Sequence, residues 1–288
     1  IRDRFQGRLD PRAMESLRET FGFVQGPLLE QYITYLRNLA QGNLGLSVSY
    51  FPVPVIDMLA PALLWTLRLI GFATILSYCI GMLTGIFAAW RRGRFLDNFV
   101  LPAAGLIGAF PFFWVALVVL YVFAFQLGWF PTSHSYDVSM DIDWGNTAFL
   151  ASFIQHSILP AITIVVTSVA GWMYGMRNNM IGVLGEDYVV LAQAKGLSDR
   201  RVMLTYAARN ALLPSLTGFA MSLGYVVGGA LVVEIVFSYP GMGFTLLRAV
   251  GGRDYPLMQS VFMVIVISVL CANFVADMIY VLLDPRAR

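Results

Sequence analysis

Charged residues withdraw from long stretches of this chain. Five windows of more than 20 residues contain no Asp, Glu, Lys or Arg: residues 69–90, 98–136, 144–176, 210–233 and 255–276. Each is long enough to cross a hydrocarbon core about 30 Å thick as a helix, the element that satisfies its own backbone hydrogen bonds where water is absent. The second and third windows exceed what a span needs. The stretch from Pro131 to His156, with its three aspartates, reads as a loop between them. The pattern predicts five spans, near 64–90, 100–127, 158–180, 214–236 and 258–281. The expected class is therefore all-α integral membrane, with the transmembrane domain over 63–288.

The first 62 residues are more polar and read as a separate helical segment. Asp10 and Pro11 suit an N-cap and first helical position, Met14, Leu17 and Phe21 share a face, and Gly22 stops the helix. A second helix fits Pro27 to Gln41, with Leu28, Tyr32, Tyr35, Leu36 and Leu39 apolar and Gly42 as terminator. Two packed helices are expected there.

Composition agrees with the span pattern. Of 288 residues, 58% are apolar and 12% charged, against roughly a quarter charged in a soluble domain. A net charge of +2 is too small to point to nucleic acid. Cys79 and Cys271 lie inside apolar stretches, without metal or disulfide spacing, and act as small hydrophobes.

The distribution of charge sets a direction. With alternating spans, Arg91, Arg92 and Arg94, then Arg177, Lys195, Arg200, Arg201 and Arg209, then Arg286 and Arg288 share one side. The opposite loops contribute Arg248 and Arg253. Basic residues gather in short cytoplasmic loops, so loop 182–213 and the C-terminus are expected in the cytoplasm and residues 1–62 outside. A polar segment needs a signal or a preceding span to reach that side, so a further helix is expected ahead of Ile1.

Three pairs of glycines stand four apart: Gly81 with Gly85, Gly171 with Gly175, and Gly224 with Gly228. Such spacing lets helices approach closely, or simply fills a glycine-rich span.

The cytoplasmic loop carries the densest local signal. Glu186 and Asp187 suit a helix start, Lys195 its last turn, and Gly196 a left-handed cap. Ser198 and Asp199 then open a second helix, and Pro214 marks the step into the next span. Tyr188, Leu191, Val202, Leu204 and Tyr206 interleave with the charges, giving this two-helix knob apolar surface to bury.

The run Ala194-Lys195-Gly196-Leu197-Ser198, then Arg200-Arg201-Val202, then Ala208 to Pro214, resembles the EAA loop of permease subunits in binding-protein-dependent ABC importers. It is most similar to the dipeptide and oligopeptide branch. The likeness extends to Gly42-Asn43-Leu44-Gly45, Leu127 to Pro131, Glu234 to Gly243, Arg253 to Pro256 and Leu283 to Arg286. The Glu-Ala-Ala positions themselves read Val190, Leu191 and Ala192, a departure usual for the peptide branch.

The resemblance implies a type I ABC importer permease bundle in a bacterial or archaeal cytoplasmic membrane. Its partners would be a paralogous permease, two cytoplasmic ATPases and an extracytoplasmic substrate-binding protein. ATP and Mg would be held by the ATPases, with no cofactor on this chain, where the lone Lys195 precludes a P-loop. In the coupling loop, Gly196 would set the turn, Ala192 and Ala194 allow close packing, and Leu197 and Val202 supply apolar contact. Glu186, Asp187, Arg200 and Arg201 would form the polar rim beside Tyr188 and Lys195. Within the second span, Pro111 is expected to bend the helix, and Phe110, Phe112, Phe113 and Trp114 to line the translocation path or to pack against core or lipid. The implied cargo is a di- or oligopeptide, with oligosaccharide, nickel and glutathione carried by relatives of this branch.

Two other classes compete. An ion-coupled transporter would use ionisable groups within the membrane, for which Arg68, Glu234, Asp277 and His156 are the candidates. An embedded enzyme would need a constellation that His134, His156, Asp141 and Asp143 do not form in sequence.

Overall fold

A computed structural model describes residues 27–224, 226 and 231–283, and the side chains of all of these but 224, 276, 277 and 279–283. The expected Asp10–Gly22 helix, the Gly228 half of one glycine pair and the Asp277 side chain lie outside this set.

Helix α1 (Leu28–Ala40) matches the expected second outer helix, and Gly42 ends it with φ +77°. None of its residues is buried. An extended segment then leads to α2 (Val55–Trp90), which starts nine residues ahead of the predicted span and contains a wide π-helical turn at Leu67–Gly71. Helices α3 (Leu96–Gly108) and α4 (Phe112–Gln126) form the second apolar unit and are bent by 100° at the break between them. Pro111 explains the break: it lacks an N–H and holds φ −55° with ψ 130° as the N-cap of α4.

Helix α5 (Thr147–Leu184) corrects the loop expected from Pro131 to His156, because it begins eleven residues ahead of the predicted start at 158. Asn146 caps it, its Oδ1 accepting from the Ala148 N–H at 2.9 Å, and Phe149 in the first turn is 1% exposed. A polar neighbourhood hid a helix whose first turns are held by aromatic packing. Helix α6 (Asp187–Ala194) and α7 (199–224) follow, then α8 (Leu231–Val236), α9 (Met242–Gly251) and α10 (Tyr255–Leu283). The expected step at Pro214 is also corrected. Pro214 lies inside α7, which runs on without a break, its path eased by a π-helical stretch at Val202–Ala208.

By length and composition α2, α5 and α10 can cross a membrane, and the bent α3–α4 pair makes a fourth. The predicted fourth span falls on α7 and α8, between which 225 and 227–230 lie outside the described residues.

Helix α5 is the axis of the bundle, packing on α2, α3, α4 and α7, while α10 packs on α7, α9 and α2. The α2–α5 crossing is set by Gly81 and Gly85. A methyl group at Gly81 would collide with Trp172, and one at Gly85 with the Met173 carbonyl and Met176. The Gly171–Gly175 pair has open space at both positions among the described residues. Two identical spacings thus have different uses.

Candidate functional site: the two-helix knob and the mouth of the bundle

The knob rests on a methionine-rich seam. Met82 and Ile86 of α2, Met176 and Met180 of α5, and Met203, Ala207 and Ala211 of α7 form one buried cluster, so three long helices converge beneath α6. Above it Val189, Ala192 and Val202 are buried, flanked by Trp90, Val183, Leu184, Leu197 and Tyr206.

The turn is a Schellman motif. Gly196 has φ +72°, its N–H donates to the Gln193 carbonyl at 2.9 Å, and the Leu197 N–H reaches back to Ala192 O at 3.3 Å. Leu197 folds onto Ala192 in the same cluster. Ser198 stands at the N-cap position of α7, as expected, but makes no side-chain cap bond; its carbonyl receives the Arg201 and Val202 N–H groups instead. The Asn210 Nδ2 donates to Tyr188 Oη at 3.0 Å and ties the two helices together.

This folding sorts the expected residues by face. Val202 (1% exposed) points into the chain, which corrects its expected role as an apolar contact for a partner, and Ala192 (3%) packs closely within the knob. The hairpin at Gly196 lays Val202 back on Ala192, and neither surface remains free. The outward face instead carries Val190, Leu191 and Ala194, with Asp187 one turn earlier. Leu191 is 55% and Val190 51% exposed. Glu186, Tyr188, Lys195, Arg200 and Arg201 surround this face as exposed residues. Val190 was not singled out as a contact in the sequence; the signal lay in the helical spacing 187, 190, 191, 194, opposite Val189 and Ala192.

Two polar ties were also illegible from sequence. Arg177 of α5 pairs with Asp97 at the start of α3, its Nε donating to Oδ1 at 2.5 Å and its Nη2 to Oδ2 at 3.2 Å. Glu234, fully buried, accepts from the Thr66 hydroxyl at 2.5 Å and the Gly243 N–H at 2.6 Å. Both carboxylate oxygens are occupied by protein donors, an arrangement that joins helices.

At the break in the second unit, Phe112 packs into the core, while Phe110 and Trp114 stack at 5.1 Å and stay 44% and 48% exposed. The bend thereby splits the Phe110-Pro111-Phe112-Phe113-Trp114 cluster between core and surface. At the other end from the knob, residues 131–140 and the first turns of α5 enclose an open cleft of about 730 Å³. His134, Tyr136, Asp137 and His156 line it. The Ser139 N–H and hydroxyl hold Asp137 below the usual carboxylate range. The His156 ring nitrogen is spent on the Ser152 carbonyl at 2.7 Å. Among the described residues no three His, Cys, Asp or Glu side chains gather as a metal site.

A helical bundle whose described helices include several long and apolar enough to cross a membrane defines a multi-pass membrane protein. Residues 81–288 match the family described as the binding-protein-dependent transport system inner membrane component, and the chain belongs to it. It is 37% identical over 296 residues to the di/tripeptide transport system permease protein DppB of Pseudomonas aeruginosa, covering 98% of this chain and 87% of that one. The oligopeptide transport system permease protein AppB of Bacillus subtilis is 34% identical, over 96% of this chain and 87% of its own. The glutathione transport system permease protein GsiC of Escherichia coli is 34% identical, over 97% and 85%. The type I ABC permease fold expected from the resemblance is that of this family.

Proposed function

We propose that this chain forms half of a translocation pathway importing di- or oligopeptides, and that ATP hydrolysed on two partner ATPases drives it through the α6–α7 knob. A paralogous permease supplies the other half, and an extracytoplasmic binding protein delivers the cargo. The observation that carries the coupling role is the exposed apolar face of Val190, Leu191 and Ala194 on an anchored hairpin. A partner pressing on that face moves α5 and α7 as levers, because Val189, Ala192 and Val202 lock the knob to the helices beneath. The charged residues around it form a polar rim. The knob and C-terminus face the cytoplasm in this reading, supported by the basic residues gathered there.

The peptide cargo rests on the two peptide-transport relatives. Glutathione, the cargo in the third relative's name, is the second reading and is itself a tripeptide derivative. Ion-coupled transport loses its best candidate because both oxygens of Glu234 are bonded within the protein.

The test is to copurify the complex in mild detergent, reconstitute it in vesicles with its binding protein, and follow uptake of labelled dipeptide. ATP-dependent uptake insensitive to a collapsed proton gradient is expected. Uptake that follows the gradient and ignores ATP would remove the coupling role.

A further inference from the structure

Arg68 lies in the π-helical turn of α2, a kind of local distortion that often accompanies functional sites. Its guanidinium carbon sits 4.2 Å from the centroid of Trp144 and 5.1 Å from that of Trp65. Trp65 is 6% exposed and is held by Tyr136, stacked at 5.7 Å, and by Tyr239, edge-on at 6.1 Å. Trp144 is packed edge-on against Phe149 and Phe153. The arginine is therefore half-buried on a platform of indoles whose positions are fixed by other rings.

Both indoles lie within cation–π distance of the guanidinium. Among the described residues Arg177 has a carboxylate partner and Arg68 has none, and no hydrogen bond to its N–H groups is found. Five donors in a fixed fork match the two oxygens of a carboxylate. Depth agrees with such a role. At 1.5 Å per residue, Arg68 lies roughly 33 Å from the Trp90 end of α2, close to the thickness of the hydrocarbon core. With the Trp90 end cytoplasmic, Arg68 stands at the outer interface. Tyr136, stacked on Trp65, is also a wall of the 730 Å³ cleft, which places the Trp65 platform next to that opening.

We infer that Arg68, presented by Trp65 and Trp144, is a receptor for the free carboxylate of the transported peptide as it enters the outer mouth of the pathway. The inference rests on the peptide reading above. It makes Arg68 a specificity element of the permease itself, separate from whatever the binding protein selects.

The experiment uses the complete reconstituted complex and two dipeptides, one with a free C-terminal carboxylate and one amidated, each presented on saturated binding protein. Wild type, Arg68→Gln, Arg68→Lys and Trp144→Phe are compared. The expected result is a loss of about tenfold in uptake of the free acid by Arg68→Gln, the scale of a charge-assisted hydrogen bond, with amide uptake unchanged. Arg68→Lys should fall between, since it keeps charge without the fork. Trp144→Phe, with a weaker platform, should lose less of the same discrimination. An equal loss for both peptides would overturn the inference and make Arg68 a structural clamp on Trp144. So would a loss that depends on the anionic lipid content of the vesicles and not on the peptide terminus, which would assign the cation to a lipid phosphate. A wild-type complex that carries neither peptide, with intact ATPase activity, overturns the peptide reading and this inference with it.

Discussion

Thr66 and Glu234, 168 positions apart, share a 2.5 Å hydrogen bond in the buried centre of the molecule, where they jointly cap a third element. The Thr66 hydroxyl oxygen receives the Met242 N–H at 2.8 Å, and the other Glu234 oxygen receives the Gly243 N–H at 2.6 Å. The N-terminus of α9 thus obtains its caps from α2 and α8, and one carboxylate joins three helices. Glycine at 241 is required by this closure, since a methyl group there would run into the Glu234 carboxylate.

Glu234→Ala removes acceptors from two buried donors, each orphan costing about 1–3 kcal/mol. The expected outcome is a clear fall in the detergent melting temperature. Glu234→Gln, which keeps the shape and one acceptor, should fall less. Equal melting temperatures for wild type and Glu234→Ala would show that the cap does not contribute to stability.

Glycine spacing can be tested against itself. Gly85→Leu must force α2 and α5 apart, and overpacking of this kind costs about 1–3 kcal/mol. Gly175→Leu meets open space and should leave the chain's own stability within about 0.5 kcal/mol. Thermal melts of the two variants side by side should differ; coincident curves would contradict the crossing described here.

On the knob, Leu191→Asp and Val202→Asp should part company. The first places a charge on an exposed face: folding should be unaffected while ATPase copurification drops, by about tenfold if Leu191 is an energetic centre of the contact. The second buries an unpaired charge and should lower expression and melting temperature together. If Leu191→Asp retains its ATPases at wild-type stoichiometry, the exposed face is not the contact.

Gly196→Ala tests the turn. A non-glycine residue at φ +72° costs about 1–2 kcal/mol, borne locally by the hairpin. Limited proteolysis should cut this variant faster near 195–198 than the wild type, with the rest of the bundle protected to the same extent. Identical cleavage patterns would mean that the turn does not depend on glycine.

The sequence alone determined what depends on near neighbours and on the solvent. A bilayer tolerates no unpaired backbone, so spans read from charge-free windows had to be helical, and α2, α5 and α10 cover three of the predicted spans, with α2 and α5 starting earlier than predicted. Gly196 had to end α6, because the Schellman turn is closed by hydrogen bonds within six residues. Pro111 was expected to bend its helix and stands at the 100° break, whereas Pro214 lies inside an unbroken one. The family itself was legible in the loop motif for the same reason, its residues being contiguous.

Only the tertiary structure decided which faces are used. Gly81–Gly85 and Gly171–Gly175 look alike in sequence, yet among the described residues a partner helix meets the first pair and open space the second. Val202 carries the same hydrophobicity as Val190, and the fold of the hairpin turned one inward and the other out. The start of α5 was obscured by aspartates in the preceding loop, because the rings that hold Phe149 come from Tyr136 and Trp144 across that loop. Arg68 meets Trp144, Arg177 meets Asp97, and Thr66 meets Glu234 across separations of 76, 80 and 168 residues. Such pairs are chosen by the packing of whole helices, and no local pattern of hydrophobic and polar positions encodes which of several crossings a helix will adopt.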